Sequence, residues 1–151
     1  TSKAYAVGFS NGAGMVNLVG KSTSYFSAIA PLFSQQIISL KDLTPTKAMS
    51  VFQVNGDVDG LIPLNGGVSS VGTFMSAQNS ALNWATHFNC NTTATQEELN
   101  WENTVLSSFT YSNCDNSNEI KYLVALNTGH GFSDAQTERI AYTKIWEFFK
   151  Q

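Results

Sequence analysis

The stretch Ala4-Tyr5-Ala6-Val7-Gly8-Phe9-Ser10-Asn11-Gly12-Ala13-Gly14-Met15 decides the fold. Its first six residues form an uncharged, mostly apolar run of the kind buried in a parallel sheet. A helical stretch from about Asn11 to Gly20 follows directly, across a turn of small residues. Strand, tight turn and helix in that order put Ser10 at a sharp elbow, inside the Gly-x-Ser-x-Gly pattern Gly8-Phe9-Ser10-Asn11-Gly12. A serine at such an elbow takes up a strained backbone that projects its hydroxyl, and Gly8 and Gly12 are expected to keep neighbouring side chains away. The helix would aim its first amides at the site where negative charge develops in acyl transfer, which makes the Asn11 amide a candidate oxyanion donor. The plainer alternative for Ser10 is a helix N-cap. A phosphate loop is disfavoured, because no Lys followed by Ser or Thr comes after Gly14.

Outward from the elbow, Ser27 to Leu32 and Met49 to Val54 read as two more buried strands, and the glycine-rich segment Asn55 to Gly72 reads as a loop. Phe74, Ala77, Ala81, Trp84, Ala85 and Phe88 recur at steps of three and four, which predicts an amphipathic helix over Phe74 to Phe88. After a polar stretch, Val105 to Tyr111 and Ile120 to Leu126 read as a hairpin across turn-forming residues. Ser133 and Gln136 have capping-box spacing, ahead of a terminal helix with Ala141, Ile145, Phe148 and Phe149 on one face. Alternating strands and helices predict one α/β domain: a mostly parallel sheet, helices on both faces, and the late hairpin making one edge mixed.

A serine hydroxyl needs a base, and the chain has two histidines. His87 falls within the predicted helix on a largely polar side, where a solvated role suffices. His130, in Thr128-Gly129-His130-Gly131, directly follows a predicted strand, where open α/β sheets place their sites. The base needs a carboxylate to orient it, and both Asp57 and Asp59 follow the strand ending at Val54. Asp57, directly after Asn-Gly, suits a local turn, which leaves Asp59 as the acid. Asp115 and Asp134 fall in the hairpin turn and at a helix cap. The resulting order Ser10, Asp59, His130 is that of α/β hydrolases, unlike the chymotrypsin or subtilisin orders.

Composition narrows the class. Of 151 residues, 42% are hydrophobic and 13% charged, which suits a folded globule and not a disordered chain. The net charge is -3 and the eight Lys and Arg are scattered, so no basic stripe is offered to nucleic acid. Apolar runs such as Ala28 to Phe33 are far shorter than a bilayer-spanning helix requires. Cys90 and Cys114 lack zinc-ligand spacing and are either one disulfide or two inert thiols, and the surrounding Asn, Thr and Ser favour the disulfide of an exported protein.

Together these residues resemble the polyhydroxybutyrate depolymerase and feruloyl or acetylxylan esterase group of α/β hydrolases, over nearly the whole chain. Val7 to Met15 resembles that group's elbow, and Tyr25-Phe26-Ser27-Ala28-Ile29-Ala30-Pro31 its next strand. Asn55 to Pro63 with Gly66-Gly67 is similar to its Asp-x-x-Val-Pro segment, and Cys90 and Cys114 fall where members often carry a pair. Asn55 stands where many relatives have histidine, and Gly131-Phe132-Ser133 replaces a common Trp-Pro. The resemblance implies part of an α/β-hydrolase catalytic domain, lacking N-terminal strands and a second oxyanion loop ahead of Thr1. It implies a secreted or periplasmic serine ester hydrolase with Ser10 as nucleophile, Asp59 as acid, His130 as base, and no metal or organic cofactor. The implied substrate is a hydroxyalkanoate oligomer or an acylated polysaccharide. The alternatives are a dienelactone-hydrolase-like or prolyl-oligopeptidase-like enzyme, or a noncatalytic polymer-binding relic.

Overall fold

The computed structural model describes residues 2–151. In chain order the elements are β1 (Ala4–Phe9), α1 (Asn11–Ser22), β2 (Phe26–Leu32), a 3-10 turn (Ile38–Leu40), β3 (Ser50–Gly56), β4 (Gly67–Ser69), β5 (Gly72–Phe74), α2 (Ala77–His87), β6 (Thr95–Trp101), β7 (Thr104–Tyr111), β8 (Ile120–Ala125) and α3 (Ala135–Phe149). One six-stranded sheet runs in the order β1-β2-β3-β8-β7-β6, with β4 and β5 as a separate hairpin. Strands β1, β2, β3 and β8 are parallel, whereas β7 is antiparallel to both β8 and β6. The architecture is thus α/β with a mixed, mostly parallel sheet, as the alternating pattern predicts.

Strand periodicity sorts the core onto two faces. Ile29, Val51, Ile120 and Tyr122 point to the side covered by α1 and α2, where Val16, Ala81, Trp84 and Ala85 meet them. Ala30, Phe52, Val54 and Leu123 point the other way, against Ala141, Ile145, Phe148 and Phe149 of α3. Helices therefore lie on both faces. None of the described helices is long and apolar enough to cross a membrane.

Four local expectations change. The segment 55–72 is not one loop: β3 runs on through Gly56, and Gly67–Ser69 pairs with Gly72–Phe74. Phe74 is consequently a strand residue, and α2 begins at Ala77 with Ser76 as its cap, accepting from the Asn79 amide at 3.1 Å. The cap of α3 is Asp134 in place of Ser133: its carboxylate accepts from the Thr137 amide at 2.8 Å and the Thr137 hydroxyl at 2.8 Å. A carboxylate there also meets the positive end of the helix dipole, and these bonds hold the Asp134 carboxyl below its usual range. The polar stretch after Cys90 contains β6, which no apolar alternation announced.

Candidate active site

Because β1, β3 and β8 are parallel, the loops leaving their C-terminal ends emerge on one side of the sheet. Ser10 follows β1, Asp59 follows β3 and His130 follows β8. Ser10 has φ 54° and ψ -116°, a region L-residues rarely adopt, and its amide donates to the Leu32 carbonyl at 2.9 Å, locking the elbow to the end of β2. Gly8 is required there, since a Cβ would run into the Gly12 carbonyl and the Val16 side chain. Gly12 itself has open space around it, so the expected steric need at that position does not hold. The helix starts at Asn11, and Ala13 and Gly14 donate to the Ser10 carbonyl at 3.0 and 3.2 Å.

His130 bridges the other two side chains. Its Nε2 lies 2.7 Å from Ser10 Oγ and its Nδ1 lies 2.7 Å from Asp59 Oδ2. The second Asp59 oxygen, Oδ1, accepts from the Leu61 and Ile62 amides at 2.8 and 2.9 Å. With only 2% of its side chain exposed, the carboxylate has both oxygens satisfied without leaving the protein interior. That donor set favours Nδ1–H on the imidazole, which leaves the Nε2 lone pair facing the serine. The Phe9 ring packs beside the imidazole at 5.5 Å.

The two aspartates divide their work differently from expectation. Asp59 makes the local turn itself, through Leu61 and Ile62. Asp57 reaches across to the histidine loop, accepting from the Thr128 amide at 3.1 Å. That approach needs Gly56, because a Cβ there would strike the Thr128 and Gly129 carbonyls. His87 does not join this group. It is half-buried at the end of α2, and its pKa is lowered by burial and by the charge of Lys21.

A cavity of about 450 Å³ opens beside Ser10, lined by Asn11, Met15, Leu18, Ile37, Leu61 and Phe74 among others, with no charged side chain in its wall. A larger cleft of about 800 Å³ lies at the opposite, N-terminal ends of the parallel strands, but neither the serine nor the histidine lines it. Chemistry rather than size therefore locates the site. Sequence reading missed the residues supporting the cavity. Lys21, fully buried, donates to the Leu40 carbonyl at 2.7 Å and to Asn83 Oδ1 at 2.6 Å, and burial lowers its pKa to about 8. A set of buried amides, Gln35, Gln53 and Asn55, lies under the acid loop. No periodicity signals such groups, since polar residues in apolar runs read as interruptions.

Cys90 and Cys114 form a disulfide that joins the chain just past α2 to the turn between β7 and β8. No family model matches the chain. A curated protein, feruloyl esterase B of Piromyces equi, is 27% identical over 156 aligned residues, covering 97% of this chain. The chain spans 27% of that relative's length. Across nearly its whole extent, then, the chain is distantly similar to a feruloyl esterase, which supports an esterase-like relationship.

Proposed function

We propose that this chain carries the catalytic apparatus of a serine carboxylic ester hydrolase that works through an acyl-enzyme. Ser10 Oγ attacks the ester carbonyl while His130 Nε2 takes its proton, and Asp59 steadies the imidazolium that forms. His130 then returns the proton to the departing alcohol. Water, activated by the same histidine, releases the acid. The Asn11 amide, at the start of α1, faces the oxyanion. The observation that carries this reading is the unbroken line Asp59 Oδ2, His130 Nδ1, His130 Nε2, Ser10 Oγ, with 2.7 Å at each contact.

The uncharged, largely apolar cavity supports an ester with an apolar acyl or alkyl portion, and the distant feruloyl esterase likeness agrees with that chemistry. The substrate class is accordingly a hydroxyalkanoate oligomer or a feruloylated or acetylated polysaccharide. The disulfide supports an oxidising, secreted or periplasmic location. A fluorophosphonate probe is expected to label Ser10, and Ser10→Ala to abolish labelling while lowering p-nitrophenyl butyrate turnover by about 10³-fold or more. Turnover within tenfold of the parent in Ser10→Ala would remove the assignment. Hydrolysis of peptide anilides in preference to esters would move the reaction class to peptidase.

A further inference from the structure

The acid loop leaves β3 at Gly56 and reaches Pro63 before the β4–β5 hairpin. One side chain holds both of its ends. Gln35, fully buried just past β2, donates through Nε2 to the Pro63 carbonyl at 2.9 Å and to the Met75 carbonyl at 3.0 Å. Its Oε1 accepts from Asn55 Nδ2 at 3.0 Å, and Asn55 is the penultimate residue of β3, just ahead of the loop. Asn55 Oδ1 in turn accepts from Gln53 Nε2 at 2.9 Å, which also donates to the Ala77 carbonyl at 2.8 Å. Three amides thus run head to tail from the start of α2 to the end of the acid loop, an arrangement in which each hydrogen bond polarises the next.

Such a chain is an expensive way to fill a core. Burying primary amides forfeits their hydration, and Gln53 Oε1 meets no hydrogen-bond donor among the described residues. An apolar side chain of similar volume would pack without that penalty. What the amides supply instead is a fixed position. Leu61 and Ile62, whose amides hold Asp59 Oδ1, immediately precede Pro63, the residue Gln35 grips. Slack at Pro63 passes directly to Asp59, and from Asp59 to the imidazole of His130.

We propose that Gln35 is the positioning residue of the acid loop: by clamping Asn55 and Pro63 it sets the placement of Asp59 and so the alignment of His130 on Ser10. The inference rests on the reading of those three side chains as the reacting group. Gln35 touches no reacting atom, so its influence falls on kcat and not on substrate affinity.

Gln36 provides an internal control. It is equally buried, and its Nε2 donates to the Ser80 carbonyl at 2.9 Å, but its side chain has no link to the acid loop. Gln35→Leu and Gln36→Leu therefore each delete a buried amide, and only the first releases Asp59. The measurements are fluorophosphonate labelling, kcat and KM on p-nitrophenyl butyrate, and the low-field proton resonance of His130 Nδ1–H. Gln35→Leu is expected to slow labelling and kcat by about 10- to 100-fold, with KM within about threefold of the parent and the resonance shifted or broadened. Gln36→Leu is expected to keep all four readouts near the parent values. Asn55→Ala, which opens only one end of the clamp, should show a smaller loss in the same direction and serves if Gln35→Leu does not fold. Equal effects of Gln35→Leu and Gln36→Leu, or a folded Gln35→Leu with parental kcat and resonance, would overturn the proposal. A parent that takes no fluorophosphonate sinks the catalytic reading instead, and the resonance alone then decides whether Gln35 positions the Asp59–His130 pair.

Discussion

β1 and β6 close opposite ends of the same sheet, yet Ala4-Tyr5-Ala6-Val7-Gly8-Phe9 contains no charge, whereas Thr95-Gln96-Glu97-Glu98-Leu99-Asn100-Trp101 places two adjacent carboxylates in the middle of the strand. On β1, Val7 is 43% and Phe9 47% exposed, and Tyr142 and Trp146 of α3 extend the same apolar surface. On β6, only Trp101 is buried and the rest of the strand is polar or half-covered. β6 has the composition that deters another strand from adding to it, and β1 has the composition of a strand with neighbours on both sides. Under the proposed reading the difference follows function, because β1 ends in the Ser10 elbow and is held there against β2 and α1. β6 delivers no site residue, so its composition is free to serve solubility.

The edges also differ in how they are tied down, and removing the tie should produce the largest stability change. The bridge between Cys90 and Cys114 closes a ring around the β6–β7 hairpin, with a sequence separation of 24. By chain-entropy reasoning a loop of that size is stabilised by about 3.5 kcal/mol. Replacing both cysteines by serine should lower the denaturation midpoint accordingly and increase hydrogen exchange in β6 and β7 while leaving β1 unchanged. An unaltered midpoint would mean that strand pairing alone holds the β6 edge.

At the β1 edge the fastening is steric. Gly8→Ala drives a methyl into the Gly12 carbonyl and the Val16 side chain, and should cost about 2–3 kcal/mol along with distortion of the Ser10 elbow. Asn100→Ala, at an exposed position of β6, should change stability by less than about 0.5 kcal/mol. Equal effects in thermal denaturation would erase the distinction between a strand shaped by the site and one that is not.

Charge placed on β1 should act on association more than on stability. Unmodified, the chain is expected to self-associate as its concentration rises, through the uncharged β1 edge and the apolar surface beside it. Val7→Lys should return it to a monomer in sedimentation velocity, at a stability change of no more than about 1 kcal/mol. A parent chain that is already monomeric at high concentration would show that the exposed face of β1 is innocuous.

The same contrast explains what was legible in the residues. β2, β3 and β8 are buried on two faces, and they and β1 appear as short apolar runs, so their existence and the elbow at Ser10 could be read directly. Order along the chain then brought His130 and Asp59 to neighbouring strand ends. β6 was invisible because Leu99 and Trp101 are its only apolar residues, too few to make a strand pattern, and its pairing with β7 comes from the backbone ladder. The tie between Asp57 and Thr128, the clamp of Gln35 and the burial of Lys21 were equally unreadable. Each joins side chains to backbone groups far away in sequence, and nothing local marks such a pairing.

The smallest expected effect on stability, and the sharpest separation of the two edges, comes from the β6 carboxylates. Glu97 lies 3.9 Å from Lys121 Nζ, with the two side chains 54% and 23% exposed. A pair that open to water is screened, and holding two long side chains in place offsets most of its attraction, so its net worth is below about 0.5 kcal/mol. Glu97→Gln combined with Glu98→Gln should therefore shift the melting temperature by no more than about 2 °C. Association should respond differently, since the substitutions strip the charge from an edge that still presents a ladder of backbone donors and acceptors. At low ionic strength the double variant is expected to associate more strongly than the parent, and in a background carrying Val7→Lys the gain must come from β6. Raising the salt should bring the parent toward the variant, because screening removes the same repulsion that the substitutions remove. If the variant instead melts several degrees lower and stays monomeric, the carboxylates hold the hairpin together, and charge is not what protects that edge.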